Sequence, residues 1–194
     1  MISKRLKEET TPHHNKAEEG NFNDEIRQGT LSVEQYSLFL RRNYWLNRLV
    51  EEHYAQLNDE QKEALQEFDM LARVKSHLIL EDLKKLDTTL SGYEKEYPDL
   101  NFGELVGAMY VTEGSSLGGN MIHKALQRNT TLNSRDAFNF LGFYGDNTGI
   151  LWKKFIAALE EYYLKHTDQE QDIINGAKKA FNFFIEVTEE TKLN

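Results

Sequence analysis

The chain has 194 residues, two prolines and no Gly/Ser-rich linker, which fits one domain with a substantial core. A formal net charge of −9 argues against nonspecific nucleic-acid binding, and the absence of cysteine excludes disulfides, thiolate-held metal clusters and a cysteine nucleophile. No apolar run is long enough to span a bilayer and MISKRLKEETT lacks the apolar segment of a signal peptide, so a cytoplasmic protein with no membrane partner is expected.

Helical spacing recurs along the whole chain and no alternating strand appears, so the predicted class is all-α, in one domain over 1–194. The first helix is predicted over 3–19, capped by Ser3 and kinked or restarted at Pro12, with Leu6, Thr10, His14 and Ala17 on one face. Gly20-Asn21 reads as a stop, and a short helix follows at 23–28. A long helix is predicted over 30–57, with Ser32 and Gln35 in capping-box register. A third runs from Asn58 or Asp59 to Ala72 and a fourth over 73–86, the two joined or nearly so. Residues 90–98 form a connection carrying Tyr93 and Tyr97. Asn101 caps the next helix, which fades near Arg128. Helices are then predicted over 133–144 and 148–165 on either side of the loop GDNTG, and over 167–192, capped by Thr167.

The helix after Asn101 contains GAMYVTEGSSLGGNMIH, residues 107–123. Gly114, Gly118 and Gly119 lie inside it, and each interior glycine costs about 1 kcal/mol relative to alanine. Gly114 and Gly118 share a face. Two readings fit: close helix packing or a stop at Gly118-Gly119, and a side-chain-free face against which something flat can lie, with a bend at the glycines.

Of six histidines, His53, His77, His123 and His166 stand singly on helices and His13 points off the apolar face, whereas His14 is on it. Glu18 is one turn after His14, placed to accept a hydrogen bond from one imidazole nitrogen and leave the other free for a metal. Lys7 is two turns before it, placed for a ligand carboxylate. A lone histidine does not suit a self-contained metal site, which needs three or four ligands. It suits haem, whose ring already supplies the in-plane ligands. A bare glycine backbone on the opposite side of the disc would leave the open iron position for O2.

LKEETTPHHNKAE, residues 6–18, resembles the N-terminal signature of the haem oxygenase family, in which a leucine and a basic residue precede Thr-x-x-x-His-x-x-x-Glu. YVTEGSSLGGNMI, residues 110–122, is similar to the family's distal helix, most of all in the bacterial enzymes associated with bacteriophytochromes. AKKAF, residues 177–181, looks like part of its closing helix. The resemblance implies a haem-oxygenase-like bundle holding haem between the first, proximal helix and a Gly-kinked distal helix. It implies His14 as the axial iron ligand with Glu18 as its partner, and Gly114, Gly118 and Ser115 as the distal catalytic positions. It further implies Thr10 and Gly119 beside the haem, Lys7 on a propionate with Tyr110 and Lys153 as further contacts, and Phe181 at the haem edge. The implied reaction cleaves haem to biliverdin, CO and iron, using O2 and an external donor such as ferredoxin. Water near Ser115 and Glu113 would supply protons.

The chain departs from the family at Ser115, where animal-type enzymes have aspartate, and at Ala157, where a second basic residue is expected one turn after Lys153. The partners implied are a small redox protein and a bilin-accepting photoreceptor. Among related folds, a thiaminase-like enzyme needs a cysteine nucleophile, and a di-iron oxidase wants Glu-x-x-His pairs; the chain has neither. A helical protein that holds haem or bilin without turning it over uses the same residues and stays open.

Overall fold

The structure is a computed structural model that describes residues 1–90 and 93–192. Nine α-helices form among them: α1 (Ile2–Glu18), α2 (Asn23–Gln28), α3 (Val33–Ala55), α4 (Asp59–Ala64), α5 (Ser76–Lys85), α6 (Phe102–Leu126), α7 (Thr130–Arg135), α8 (Thr148–Lys165) and α9 (Glu170–Glu190). No strand occurs among the described residues. Helix α6 packs against α9, α1 against α9 and α8, and α3 against α5, α6 and α9.

Several boundaries follow from local caps. Ser32, Asn58 and Asn101 each accept the backbone N–H three residues on, while Gln35, Gln61 and Glu104 reach back to complete capping boxes. Helix α1 begins differently from expectation. Ser3 lies inside the helix and does not cap it; the first N–H groups, of Ile2 and Ser3, donate to the Glu160 carboxylate on α8 at 3.0 and 2.9 Å. Pro12 neither ends nor restarts α1. It is exposed, so its missing N–H leaves a carbonyl to water, while Ile2, Leu6, Thr10 and Ala17 hold the helix onto its neighbours.

Other expectations are corrected by long-range contacts. The helix predicted from Asn58 to Ala72 stops at Ala64 and gives way to 3₁₀ turns at Gln66–Phe68 and Met70–Arg73, separated by Asp69 in the left-handed region. Helix α5 is therefore separate, and its first N–H groups, of Lys75 and Ser76, are capped by Glu51 of α3 at 3.0 and 3.1 Å. The helix predicted over 133–144 is a second correction: α7 ends at Arg135, Asp136 turns left-handed, and residues 137–144 are turns and irregular backbone. Thr167 lies in a 3₁₀ turn, Thr167–Gln169, ahead of α9 and makes no side-chain cap. The 90–98 connection is irregular from Tyr93 onward, with Tyr93 and Tyr97 packed on Trp45; Ser91 and Gly92 lie outside the described residues.

Two hydrophobic cores result. One gathers α1, the second half of α3, the first half of α6, α8 and α9. The other gathers Tyr36, Phe39 and Leu40 of α3, Ile79 and Leu83 of α5, Leu126, and the segment from Leu132 to Leu141. Helix α6 joins them. Its residues up to Glu113 are buried in or beside the first core and Leu126 is buried in the second, but no residue between is buried. The glycine-bearing stretch thus bridges two cores with little protein packed on it.

Candidate active site

A cavity of about 610 Å³ opens at the seam between the two cores, within the roughly 300–1,000 Å³ common for cofactor and small-molecule sites. Helix α1 contributes Lys7, Thr10, His14 and Glu18; α6 contributes Tyr110, Gly114, Ser115, Gly118 and Gly119; α9 contributes Phe181. Two places distant in sequence, the histidine turn and the glycine turn, therefore share one cavity. Lys153 does not line it. That side chain is exposed on α8, whose cavity-facing positions are Thr148 and Trp152. The contact that the resemblance implies for Lys153 is therefore with no residue of the cavity wall.

The glycines divide into two kinds. A Cβ at Gly107 would collide with the Ile173 carbonyl oxygen, and one at Gly176 with the Glu104 carbonyl oxygen, so these two glycines let α6 and α9 cross closely. A Cβ at Gly118 would meet nothing within 4 Å, and one at Gly114 would meet only the Trp152 ring, at 3.6 Å. A Cβ at Gly119 would lie 3.5 Å from Leu141 Cδ2. Helix packing does not require glycine at 114 or 118, and the helix does not stop at Gly118-Gly119. What they leave is a side-chain-free strip facing the cavity.

On the opposite wall His14 is exposed to the cavity, with its ring edge-on to Phe181 at 5.9 Å between centroids. Nδ1 lies 3.6 Å from Glu18 Oε1, an electrostatic approach longer than a formed hydrogen bond. Thr10 is buried and its hydroxyl donates to the Leu6 carbonyl, so it packs the wall and offers no free proton. Lys7 makes no ion pair among the described residues and reaches the rim. Tyr110 packs on Trp152 at 5.5 Å, and burial pushes its phenol up.

The polar groups near the glycine stretch are arranged otherwise than expected. Ser115 donates its hydroxyl to the Thr112 carbonyl at 2.7 Å. Glu113 is buried, and its carboxylate is held by Arg73, by Lys75 Nζ at 2.7 Å and by the Tyr144 hydroxyl at 3.1 Å to each oxygen. So Glu113 is engaged in an ionic cluster beside the glycine stretch. Burial pushes the Lys75 ammonium down, against the pull of Glu113 upward. Burial, reinforced by Glu113, pushes the Tyr144 phenol up. Lys75 also donates to Ser116 Oγ at 3.0 Å. Lys75, Ser116, Tyr144 and Trp152 line the cavity and were not legible beforehand, since nothing local marks a lysine as buried.

No cluster of three or more histidine or carboxylate ligands exists among the described residues, and no described helix is long and apolar enough to cross a membrane. A lone imidazole facing an empty backbone strip fits a macrocycle that brings its own equatorial ligands. The heme oxygenase family model matches residues 1–190. The chain belongs to the haem oxygenase family. Solved structures agree with that assignment. The NO- and CO-bound haem oxygenase from Neisseria meningitidis is 26% identical, with TM-score 0.76, over 98% of this chain and 92% of that one. Two more distant likenesses bear on the fold. The Leptospira interrogans haem oxygenase is 20% identical, with TM-score 0.71, over 97% of this chain and 98% of that one. Haem oxygenase-1 from the cyanobacterium Synechocystis, in complex with haem, is 18% identical, with TM-score 0.70, over 97% and 91%. No curated protein sequence matches the chain significantly.

Proposed function

We propose that the chain is a haem oxygenase: it binds haem in this cavity and cleaves it, with O2 and an external electron donor, to biliverdin, carbon monoxide and ferrous iron. The carrying observation is the pairing of an imidazole with glycine positions open to the same space, on helices that begin 100 residues apart. Bound haem would supply the iron that takes O2 and the ring carbon that is oxidised.

The protein's own part is binding and orientation. His14 would hold the iron, with Glu18 biasing which imidazole nitrogen carries the proton. Gly114 and Gly118 would let the ring approach the α6 backbone, and Gly119 would extend that strip. Lys7 would meet a propionate at the rim, and Tyr110 and Phe181 would pack on the ring. Phe140, Leu141, Phe143 and Trp152 give the remaining wall its apolar character and exclude water. Ser115, hydrogen-bonded to its own helix, would order water beside the open position by the second lone pair of its hydroxyl. A ferredoxin-like donor and a bilin-accepting photoreceptor are the partners consistent with this chemistry.

Purified protein mixed with hemin should give a Soret band of a histidine-ligated complex. Ascorbate, or ferredoxin with its reductase, should then remove that band as a broad red bilin absorption grows. A Soret band that persists under reductant and O2 identifies a haem-holding protein without turnover. His14→Ala should abolish the histidine-ligated spectrum; its survival would remove the ligand assignment.

A further inference from the structure

We propose that Asp82 is a positioning residue for the distal wall: through segment 136–144 it sets how the haem ring sits, and therefore which meso edge is oxidised. The inference rests on the haem reading above.

Asp82 is on α5, fully buried, and is not among the residues lining the cavity. Its two oxygens accept successive backbone N–H groups from another part of the chain, Asn139 at 2.8 Å and Phe140 at 2.9 Å. These are the leading N–H groups of the turn that closes with Gly142 N–H donating to the Phe138 carbonyl. A helix would satisfy them itself; here a side chain 57 residues away does. The same segment has other side-chain tethers. Tyr36 of α3 donates its hydroxyl to the Ala137 carbonyl at 2.7 Å. Lys85 donates to the Asp136 carbonyl at 2.6 Å, and Glu81 accepts from the Asn139 amide at 2.9 Å. The charged and titratable groups around Asp82 are thus Glu81, Lys85, Asp136 and Tyr36. Burial raises the Asp82 carboxyl to about 6, so near neutral pH it is ionised and both oxygens accept.

What this clasp holds is cavity wall. Phe140, Leu141, Phe143 and Tyr144 all line the cavity. Leu141 lies where a Gly119 side chain would begin, and Tyr144 bonds to Glu113, next to Gly114. The segment therefore abuts the glycine strip at both ends. A ring lying against that strip would have this segment as its neighbour, so the clasp would set the room left for it there. A buried carboxylate at this place costs desolvation that an apolar side chain would avoid, and what it supplies is a fixed backbone.

The test uses Asp82→Asn, which keeps the shape but replaces one acceptor oxygen with an NH2 that cannot accept. In the ligand-free protein, amide exchange at Asn139 and Phe140 should quicken roughly 10- to 100-fold relative to wild type. In the hemin complex, the ratio of ring orientations read by proton NMR should shift, and so should the isomer ratio of the bilin formed with ascorbate. Tyr36→Phe, which cuts the Ala137 tether and leaves Asp82 intact, should move both ratios the same way by less. It also carries the test if Asp82→Asn does not fold. Faster exchange with unchanged ring orientation and isomer ratio would mean that the clasp is only structural, and the proposal falls. Unchanged exchange would mean that the carboxylate does not hold the segment, and it falls again. A wild-type protein that takes up no hemin would instead overturn the haem reading, with the exchange result still reporting on the clasp.

Discussion

Gly118 offers a test in which stability and function move in opposite directions. Helix α6 carries Gly118 in its interior, where glycine costs about 1 kcal/mol relative to alanine. A methyl group there would meet no atom within 4 Å, so Gly118→Ala brings no clash to offset that gain. For a chain of this size about 1 kcal/mol raises Tm by roughly 2–4 °C. Calorimetry on the ligand-free variant should show that rise. Gly107→Ala is the internal control: its methyl would strike the Ile173 carbonyl oxygen, so the same substitution should lower Tm markedly or prevent folding. Hemin titration and turnover supply the other half. Gly118→Leu fills the space in which the ring is proposed to lie against the backbone, so it should weaken hemin binding or redirect the bilin isomer ratio while the ligand-free protein stays folded. Two results would refute the reasoning. A lower Tm for Gly118→Ala would mean that the position is not open. Undisturbed binding, turnover and isomer ratio in a folded Gly118→Leu would mean that nothing approaches the strip.

Two further outcomes follow from the buried charges. Glu113→Gln removes the carboxylate that pairs with both Arg73 and Lys75, leaving two buried cations without it; urea unfolding should show a loss of about 3–5 kcal/mol, and a loss below about 1 kcal/mol would mean that the cluster does not anchor α6. Asp82 has a folded pKa of about 6 against a reference of 3.8, so the folded state holds its proton more tightly than the unfolded chain. Its contribution to stability is therefore most favourable below pH 4 and declines as pH rises through about 6. The stability of wild type relative to Asp82→Asn should accordingly be better at pH 5 than at pH 7.5, by roughly 1 kcal/mol. A difference that does not change with pH would show that the carboxyl is not raised.

What could be read from the sequence is what short-range physics determines. Capping boxes at Ser32, Asn58 and Asn101 join residues three apart, and the structure forms all three. Helix α8 spans 148–165 as its apolar periodicity predicts, and α2 spans 23–28. The resemblance at residues 6–18 and 110–122 led to the family because each motif is local and the two together are specific. Failures came where a distant side chain overrode local preference. Residues 133–144 have apolar residues enough for a helix, but Asp82 and Tyr36 take up the backbone groups that a helix would have used. Ser3 did not cap α1 because Glu160 did.

The glycines state the division most sharply. Gly107 and Gly118 stand on one helix and are indistinguishable by composition, yet one touches a neighbouring backbone and the other faces open cavity. Likewise a lysine at 75 and an arginine at 73 become a buried clamp on Glu113 only because the segment just ahead of α5 lies against α6. Sequence by itself determined most of the helices and the three capping boxes, and it marked out the histidine and glycine positions, because those depend on neighbours within about one turn. Tertiary structure alone decided which glycines are free, which charges are buried and what shapes the distal wall, because each depends on atoms brought together from distant parts of the chain.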